Sequence, residues 1–187
     1  MLKLYHCDIS KLSDEDFLNL YIKSDKERQK KADKLKQDSA KKLSIAAGEL
    51  AKKSIAEVLN IDPESIRFRT TKAGKPYAEN LNIEFSISHS GNIAVCAISD
   101  KPVGIDIELI KDVSFNVAKR LFTPDEQKYV FEKWDVSKQR FYEVWTRKEA
   151  YVKKIGRGIT HFPDFCTMHD KSIVTHIRDR YIVSVAT

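Results

Sequence analysis

Alternating apolar and polar residues predict strands in the middle of the chain. The alternation is strict over residues 83–90, where every second side chain would face a core and serines would line the other face. Residues 93–98 follow the turn after Ser90 as a short apolar strand. Shorter strands are indicated at residues 66–70 and 103–108. These segments together predict a small antiparallel meander.

Apolar residues at helical spacing predict two long helices, one in each half of the chain. The first covers residues 38–60 and would end at Asn60, and the second covers residues 141–155 and would end at Gly156. Thr123, Pro124 and Glu126 have the arrangement of a helix start. Further elements are expected as helices after Ser13 and over residues 113–122, and as closing strands over residues 165–168, 173–177 and 181–186.

Each half of the chain is rich in helix first and in strand later, which predicts an α+β fold of two similar halves. We expect residues 1–103 and 104–187 to form these halves, each as a small antiparallel sheet packed with helices. Pseudo-twofold symmetry would relate the halves, and a ligand cleft would lie between them near the junction at Lys101 to Gly104.

The composition is that of a globular protein. The chain has 187 residues, 42% of them hydrophobic and 10% aromatic, which is enough to bury a core. No apolar run approaches the roughly 20 residues that span a membrane. The first residues lack the pattern of a signal peptide, so we expect a cytoplasmic protein without a membrane partner. Cys7, Cys96 and Cys166 form neither a zinc spacing nor a disulfide framework.

The formal net charge of +6 favours an anionic partner, which could be nucleic acid, a phosphorylated small molecule or an acidic protein. Many of the lysines lie between Lys23 and Lys42, where interleaved acidic residues weaken the local field. This segment holds no aromatic side chain on which a base could stack. We therefore expect no nucleic-acid partner.

Asp106 and Glu108 would share one face of the predicted strand at residues 103–108, because side chains on a strand alternate. Two carboxylates so close repel each other unless a cation lies between them, and oxygen ligands suit a hard cation such as Mg²⁺. The alternative is an edge strand with a solvated acidic face. For these two residues alone, that alternative is the better interpretation.

Glu149 adds a third carboxylate, on the second long helix. Lys153 follows it by four residues and shares its face, and Lys148 is adjacent. A surface ion pair of this kind would stabilise the helix by only a few tenths of a kcal/mol. The combination with Asp106 and Glu108 instead favours a site for an anionic ligand and a metal ion.

Four segments of the chain resemble, in order and spacing, those of 4′-phosphopantetheinyl transferases of the larger, pseudo-dimeric class (Sfp-type). They are Gly74-Lys75-Pro76, Phe85-Ser86-Ile87-Ser88-His89-Ser90, Gly104-Ile105-Asp106-Ile107-Glu108 and Trp145-Thr146-Arg147-Lys148-Glu149-Ala150. The resemblance covers about residues 61 to 158. It implies a monomeric enzyme that moves phosphopantetheine from coenzyme A to a serine of an apo carrier protein and releases adenosine 3′,5′-bisphosphate. The carrier would be an acidic acyl, peptidyl or polyketide carrier protein.

The resemblance also implies roles for single residues. Asp106, Glu108 and Glu149 would hold Mg²⁺, or Mn²⁺ in its place, and Glu149 and Lys153 would be catalytic, with Glu149 as base. The residues that contact coenzyme A would be Lys75, Pro76, Ser88, His89, Lys148 and Lys153. Without the resemblance, His89 would be interpreted as a turn histidine and Lys75 as a solvated loop lysine. The family usually carries arginines ahead of residue 61 where this chain has lysines, so contacts from that part stay unassigned.

Two other functions fit the same residues. The three carboxylates could serve a metal-dependent phosphodiester or pyrophosphate hydrolase, which would act without a carrier protein. A non-catalytic binder of carrier proteins or of nucleic acid is the second alternative, although an intact set of three carboxylates favours catalysis.

Overall fold

A computed structural model of the chain describes residues 1–157 and 162–187. The strands are β1 (Leu2–Asp8), β2 (Phe68–Thr70), β3 (Pro76–Ala78), β4 (Glu84–Ser90), β5 (Ile93–Ser99), β6 (Gly104–Leu109), β7 (Ile173–Arg178) and β8 (Tyr181–Ala186). The α-helices are α1 (Asp14–Lys23), α2 (Lys26–Asp33), α3 (Asp38–Leu59), α4 (Asn116–Leu121), α5 (Pro124–Phe131) and α6 (Ser137–Ile155). None of these helices is long and apolar enough to cross a membrane.

The two halves of the chain follow the same path. The first builds a three-stranded antiparallel sheet in the order β1-β5-β4, and the second builds another in the order β6-β8-β7. In both sheets the last strand in sequence lies between the other two. Among the described residues, three α-helices separate β1 from β4 in the first sheet and β6 from β7 in the second. β2 and β3 form a small extra ladder in the first half. The prediction of an α+β fold of two similar halves is confirmed, while the boundary between residues 103 and 104 stays a prediction.

Each long helix packs on the sheet of its own half, and an apolar layer joins the halves. Ala51 and Ile55 of α3 pack against Phe85 and Ile98 in the first core. The joining layer combines residues from both sheets: Val95, Ala97, Val103, Ile105, Ile107 and Val185. Ile105 and Ile107 of β6 belong to this layer. β6 also lies beside β4, to which it is hydrogen-bonded although the two strands belong to different sheets.

The helix ends agree with the sequence signals. Asn60 and Gly156 end α3 and α6 in the left-handed conformation, with φ of 53° and 69°. Thr123 and Glu126 form a capping box at the start of α5. Ser13 caps α1 by accepting the Asp16 N–H.

Two expectations about strands are wrong. β4, β5 and β6 do not form a simple meander. β6 pairs with β8 rather than with β5, and the second edge of β5 pairs with β1. Residues 165–168 are not a strand, since a short 3₁₀ helix at Thr167–His169 takes that place. Its backbone is held by Glu126, which accepts hydrogen bonds from both the N–H and the hydroxyl of Thr167.

Gly104 allows β6 to lie against the backbone of α6. A Cβ at this position would lie 1.9 Å from the Ala150 carbonyl oxygen and 2.5 Å from the Lys154 nitrogen. We expect Gly104→Ala to lower the free energy of unfolding by about 3 kcal/mol or more, because backbone cannot move aside as a side chain can. Urea unfolding measures this. Gly74→Ala is the control: this glycine has φ 87°, but no atom of the described part of the chain would lie within 4 Å of an added Cβ, so the change should cost only about 1–2 kcal/mol. Equal stability of Gly104→Ala and the unchanged protein would contradict this packing.

Candidate functional site

A cavity of about 210 Å³ lies where the two halves meet. One wall comes from the turn before β3 and from β4, and the other wall comes from α6. Its lining residues are Ala73, Gly74, Lys75, Pro76, Phe85, Ser86, Ile87, Glu149, Val152, Lys153 and Gly156. The structure thus brings Lys75, Pro76, Glu149 and Lys153 to one cavity, as the sequence predicts.

Asp106 lies beside this cavity and is 4% exposed. Its Oδ1 accepts hydrogen bonds from the Ser88 hydroxyl at 2.7 Å and from the Lys153 ammonium at 2.7 Å. Its Oδ2 is buried and has no hydrogen-bond partner among the residues that the structure describes. The carboxylate face of β6 is therefore not the solvated edge of the alternative interpretation, and one buried oxygen keeps its lone pairs unused.

Glu149 is a second buried carboxyl, one turn before Lys153 on α6, and is 8% exposed. Burial raises its pKa to about 7, the negative charges of Asp106 and Glu108 act in the same direction, and Lys153 opposes them. A carboxyl with this pKa is partly ionised at neutral pH, which suits a general base. Burial also raises the pKa of Glu108, with a smaller contribution from Asp106, while the Ser90 hydroxyl opposes the shift.

Two features of the carboxylates of Asp106, Glu108 and Glu149 suit a cation. They are negatively charged, and Oδ2 of Asp106 has no hydrogen-bond donor within the described residues. Asp106 and Glu108 both destabilise ionised Glu149, so a positive ion among the three would relieve their repulsion. Within the described ranges, however, no three His, Cys, Asp or Glu side chains are grouped closely enough to hold a metal ion. The metal site at Asp106, Glu108 and Glu149 stays a prediction.

Lys75 connects the two halves at the rim of the cavity. Its Nζ lies 3.1 Å from Glu84 Oε2 and donates to the carbonyl oxygen of Lys154, at the end of α6, at 3.3 Å. The Lys75 side chain is therefore not a solvated loop lysine. Its ammonium is already held where an anionic ligand in the cavity would meet it.

His89 follows Ser88 on β4 and its side chain is exposed. The protein packed around the ring lowers its pKa, and the charge of Lys153 and, more weakly, of Arg28 act in the same direction. These effects favour the neutral imidazole, whereas a phosphate beside the ring would raise the pKa of His89 again.

Lys148 does not join this cluster. Its side chain is 0% exposed, its Nζ lies 2.9 Å from Glu126 Oε2, and it donates to the carbonyl oxygen of Pro163. Both charges of this ion pair are fully buried. The predicted contact of Lys148 with coenzyme A does not fit this position, because the ammonium is committed to α5 and to the segment after residue 162.

The sequence did not single out the basic residues of α2. Arg28 and Lys31 line a second, smaller cavity together with Arg69 and Pro76, and Pro76 also lines the first cavity. The charge of Arg28 reaches His89. Arg28 is the one arginine of residues 23–42, a signal that distinguishes it from the lysines around it, whereas no sequence signal distinguishes Lys31. That both lie beside β2 and β3 depends on how α2 packs.

The raised pKa of Glu149 predicts a pH dependence of stability in EDTA. Unfolding returns the carboxyl from a pKa of about 7 to its ordinary value of 4.5, so the folded state holds the proton between these values and the unfolded state does not. The stability contribution of Glu149 therefore falls as pH rises from 5 to 8 and then levels off. Glu149→Gln should gain in melting temperature relative to the unchanged protein across this interval. Glu15→Gln on the exposed side of α1 is the control, and a pH-independent difference for Glu149→Gln would contradict the shift.

Two family models match the chain, one after the other. The model described as the 4′-phosphopantetheinyl transferase superfamily matches residues 102–184. The model described as the N-terminal part of 4′-phosphopantetheinyl transferase matches residues 12–101. The two matches meet close to the junction of the two sheets.

Curated relatives carry the same family name. The chain is 43% identical over 111 residues to 4′-phosphopantetheinyl transferase gsp of Aneurinibacillus migulanus, an alignment that covers 59% of this chain and 46% of the relative. It is 37% identical over 113 residues to 4′-phosphopantetheinyl transferase Sfp of Bacillus subtilis strain 168, covering 59% and 50%. It is 37% identical over 110 residues to 4′-phosphopantetheinyl transferase HetI of Nostoc, covering 54% and 46%.

The matched segment spans about half the length of these curated relatives. At the junction of the halves, Glu149 and Lys153 of α6 line the cavity, and Lys153 also bonds Asp106 of β6 and Ser88 of β4. The N-terminal family model covers most of the half that builds the first sheet, and the superfamily model covers most of the half that builds the second. The chain belongs to the 4′-phosphopantetheinyl transferase superfamily, Sfp-type.

Proposed function

We propose that this protein transfers the phosphopantetheine group of coenzyme A to a serine of an apo carrier protein, with adenosine 3′,5′-bisphosphate as the second product. The observation that carries the proposal is Glu149, a buried carboxyl with a pKa of about 7 at the cavity between the halves, next to the Asp106–Lys153 pair. Family membership and the names of the relatives support the reaction type.

Glu149 is the proposed base for the carrier serine. General-base catalysis is most efficient when the pKa of the base lies near the working pH, because the base is then both available and strong enough. Lys153 lies one turn further along the same helix and lines the same cavity. Its ammonium would neutralise charge on the transferred phosphate and on the leaving group, which phosphoryl transfer requires more than covalent chemistry.

Asp106, Glu108 and Glu149 would hold Mg²⁺, with Mn²⁺ as a substitute. When bound, the ion would supply charge neutralisation at the pyrophosphate of coenzyme A and at the departing phosphate. The Oδ2 of Asp106, which has no partner within the described ranges, supports this assignment, because a buried carboxylate oxygen without a donor is costly unless a cation uses it.

Coenzyme A would lie along the cavity wall formed by the first half. Lys75 and Pro76 line that wall, and Ser88 and His89 follow it on β4. Lys75 would exchange its bond to Glu84 for a phosphate of the ligand. His89 would donate a hydrogen bond to a phosphate oxygen of the ligand.

The proposed partner is an acidic acyl, peptidyl or polyketide carrier protein, in keeping with the net charge of +6. We further propose that the protein works as a monomer in the cytoplasm, and that residues 1–103 and 104–187 are its two halves. Neither nucleic acid nor a membrane is part of this proposal.

Product release separates this proposal from a hydrolase. The protein is incubated with coenzyme A and Mg²⁺, with and without an apo carrier protein, and nucleotide products are separated by chromatography. We expect adenosine 3′,5′-bisphosphate only when the carrier is present. Equal release without the carrier would favour the metal-dependent hydrolase, and no release in either mixture would favour a binder.

A further inference from the structure

A row of serines on β4 contacts β6 across the junction of the halves. Ser86, Ser88 and Ser90 occupy every second position, so their side chains lie on one face of the strand. Ser86 Oγ accepts the Ile105 N–H at 3.1 Å, and Ser90 Oγ accepts the Leu109 N–H at 3.1 Å. The serine hydroxyls of β4 thus accept backbone N–H groups of β6, as the carbonyl groups of a paired strand would.

Two of these serines also donate to carboxylates. Ser88 Oγ donates to Asp106 Oδ1 at 2.7 Å, and Ser90 Oγ donates to Glu108 Oε2 at 2.8 Å. A hydroxyl has a single proton. Because the Leu109 N–H takes an acceptor position on Ser90 Oγ, the orientation of that hydroxyl is fixed and its proton is committed to Glu108.

We propose that Ser90 is a positioning residue for Glu108, holding one oxygen of this carboxylate so that the other stays available to a cation. The inference rests on the proposed function, in which Glu108 is a metal ligand. Glu108 is half-buried near the end of β6 and has several rotatable bonds, so it needs a partner to stay in one orientation. Hydrogen-bond partners of metal ligands orient those ligands and tune their affinity for the ion.

Ser86 provides a matched control within the same row. Its hydroxyl accepts a backbone N–H of β6 at the same distance as that of Ser90 does. In the part of the chain that the structure describes, Ser86 makes no hydrogen bond to a carboxylate. Ser86→Ala therefore removes the contact between the strands alone, whereas Ser90→Ala removes that contact and the bond to Glu108.

The test is the affinity of the full chain for Mn²⁺ in the absence of coenzyme A, measured by electron paramagnetic resonance of the free ion. We expect Ser90→Ala to weaken Mn²⁺ binding about tenfold, within the range found for partners of metal ligands. Ser86→Ala should leave it nearly unchanged, and Ser90→Thr, which keeps the hydroxyl, should retain most of it. In a Glu108→Gln background, Ser90→Ala should have no further effect, because Ser90 acts through the Glu108 carboxylate. Urea unfolding of each variant separates loss of folding from loss of ion binding.

The outcomes distinguish the inference from the proposed function. If Glu108→Gln weakens Mn²⁺ binding while Ser90→Ala behaves like Ser86→Ala, the role of Ser90 is overturned and Glu108 keeps its place as a ligand. If Ser90→Ala fails to fold, loss of affinity in Ser90→Thr overturns the inference and retention supports it. If Glu108→Gln leaves Mn²⁺ affinity unchanged, the ligand set of the proposed function is wrong.

Discussion

Asp106→Ala is expected to abolish measurable phosphopantetheinyl transfer while the protein stays folded. Asp106 contacts Ser88 and Lys153 and raises the pKa of Glu149, so its loss removes a proposed ligand and frees Lys153 from its partner. The loss also lets the pKa of Glu149 fall away from neutrality. The fold should survive because the change removes a buried oxygen that has no hydrogen-bond partner in residues 1–157 and 162–187, and Lys153 keeps its bond to Ser88.

The measurement is the initial rate of transfer with saturating coenzyme A and Mg²⁺, with circular dichroism as the check on folding. Asp112→Ala is the matched control, because it removes the same charge from an exposed carboxylate three residues beyond β6 that pairs with Lys138. It should transfer at nearly the normal rate. The proposed site would be contradicted if Asp106→Ala transferred at nearly the rate of the unchanged protein. Full activity of the unchanged protein in excess EDTA would also contradict it.

Glu149→Gln is expected to slow single-turnover transfer by ~10²–10⁴-fold, the contribution typical of a general base. Glutamine keeps the shape and one oxygen but cannot take the proton of the carrier serine. Affinity for coenzyme A, measured separately, should change far less than turnover. Glu143→Gln changes another buried glutamate of α6, one that bonds Tyr129 and Gln139, and should leave turnover nearly normal.

The two roles proposed for Glu149 give different results. Near-normal turnover at saturating Mg²⁺ would exclude Glu149 as the base and favour a water near Asp106. Loss of coenzyme A binding with normal turnover at saturation would assign Glu149 to the metal alone. A large fall in turnover with retained binding is the result that the raised pKa predicts.

Local patterns predicted most elements that build the site. The alternation over residues 83–90 identified β4, and helical spacing with Gly156 identified α6. Asp106 and Glu108 on one face of β6 also followed from the strand period. These features depend on neighbours in sequence, which is why a sequence alone contains them.

Features that depend on distant partners could not be predicted in this way. β6 pairs with β8, more than seventy residues away, rather than with the adjacent β5. Lys148 and Glu149 are adjacent on one helix, and only the position of Glu126 on α5 determines that Lys148 turns into the core. In the same way, Arg28 is the one arginine among the lysines of residues 23–42, but only the packing of α2 on α3 determines that its charge reaches His89.

The most direct test of the central claim is mass spectrometry of an apo carrier protein after incubation with this protein, coenzyme A and Mg²⁺. We predict a carrier that gains one phosphopantetheine group, with fragmentation locating the group on a serine. The gain should disappear with Asp106→Ala and persist with Asp112→Ala. An unmodified carrier under conditions in which the protein is folded and binds coenzyme A would contradict the proposed function.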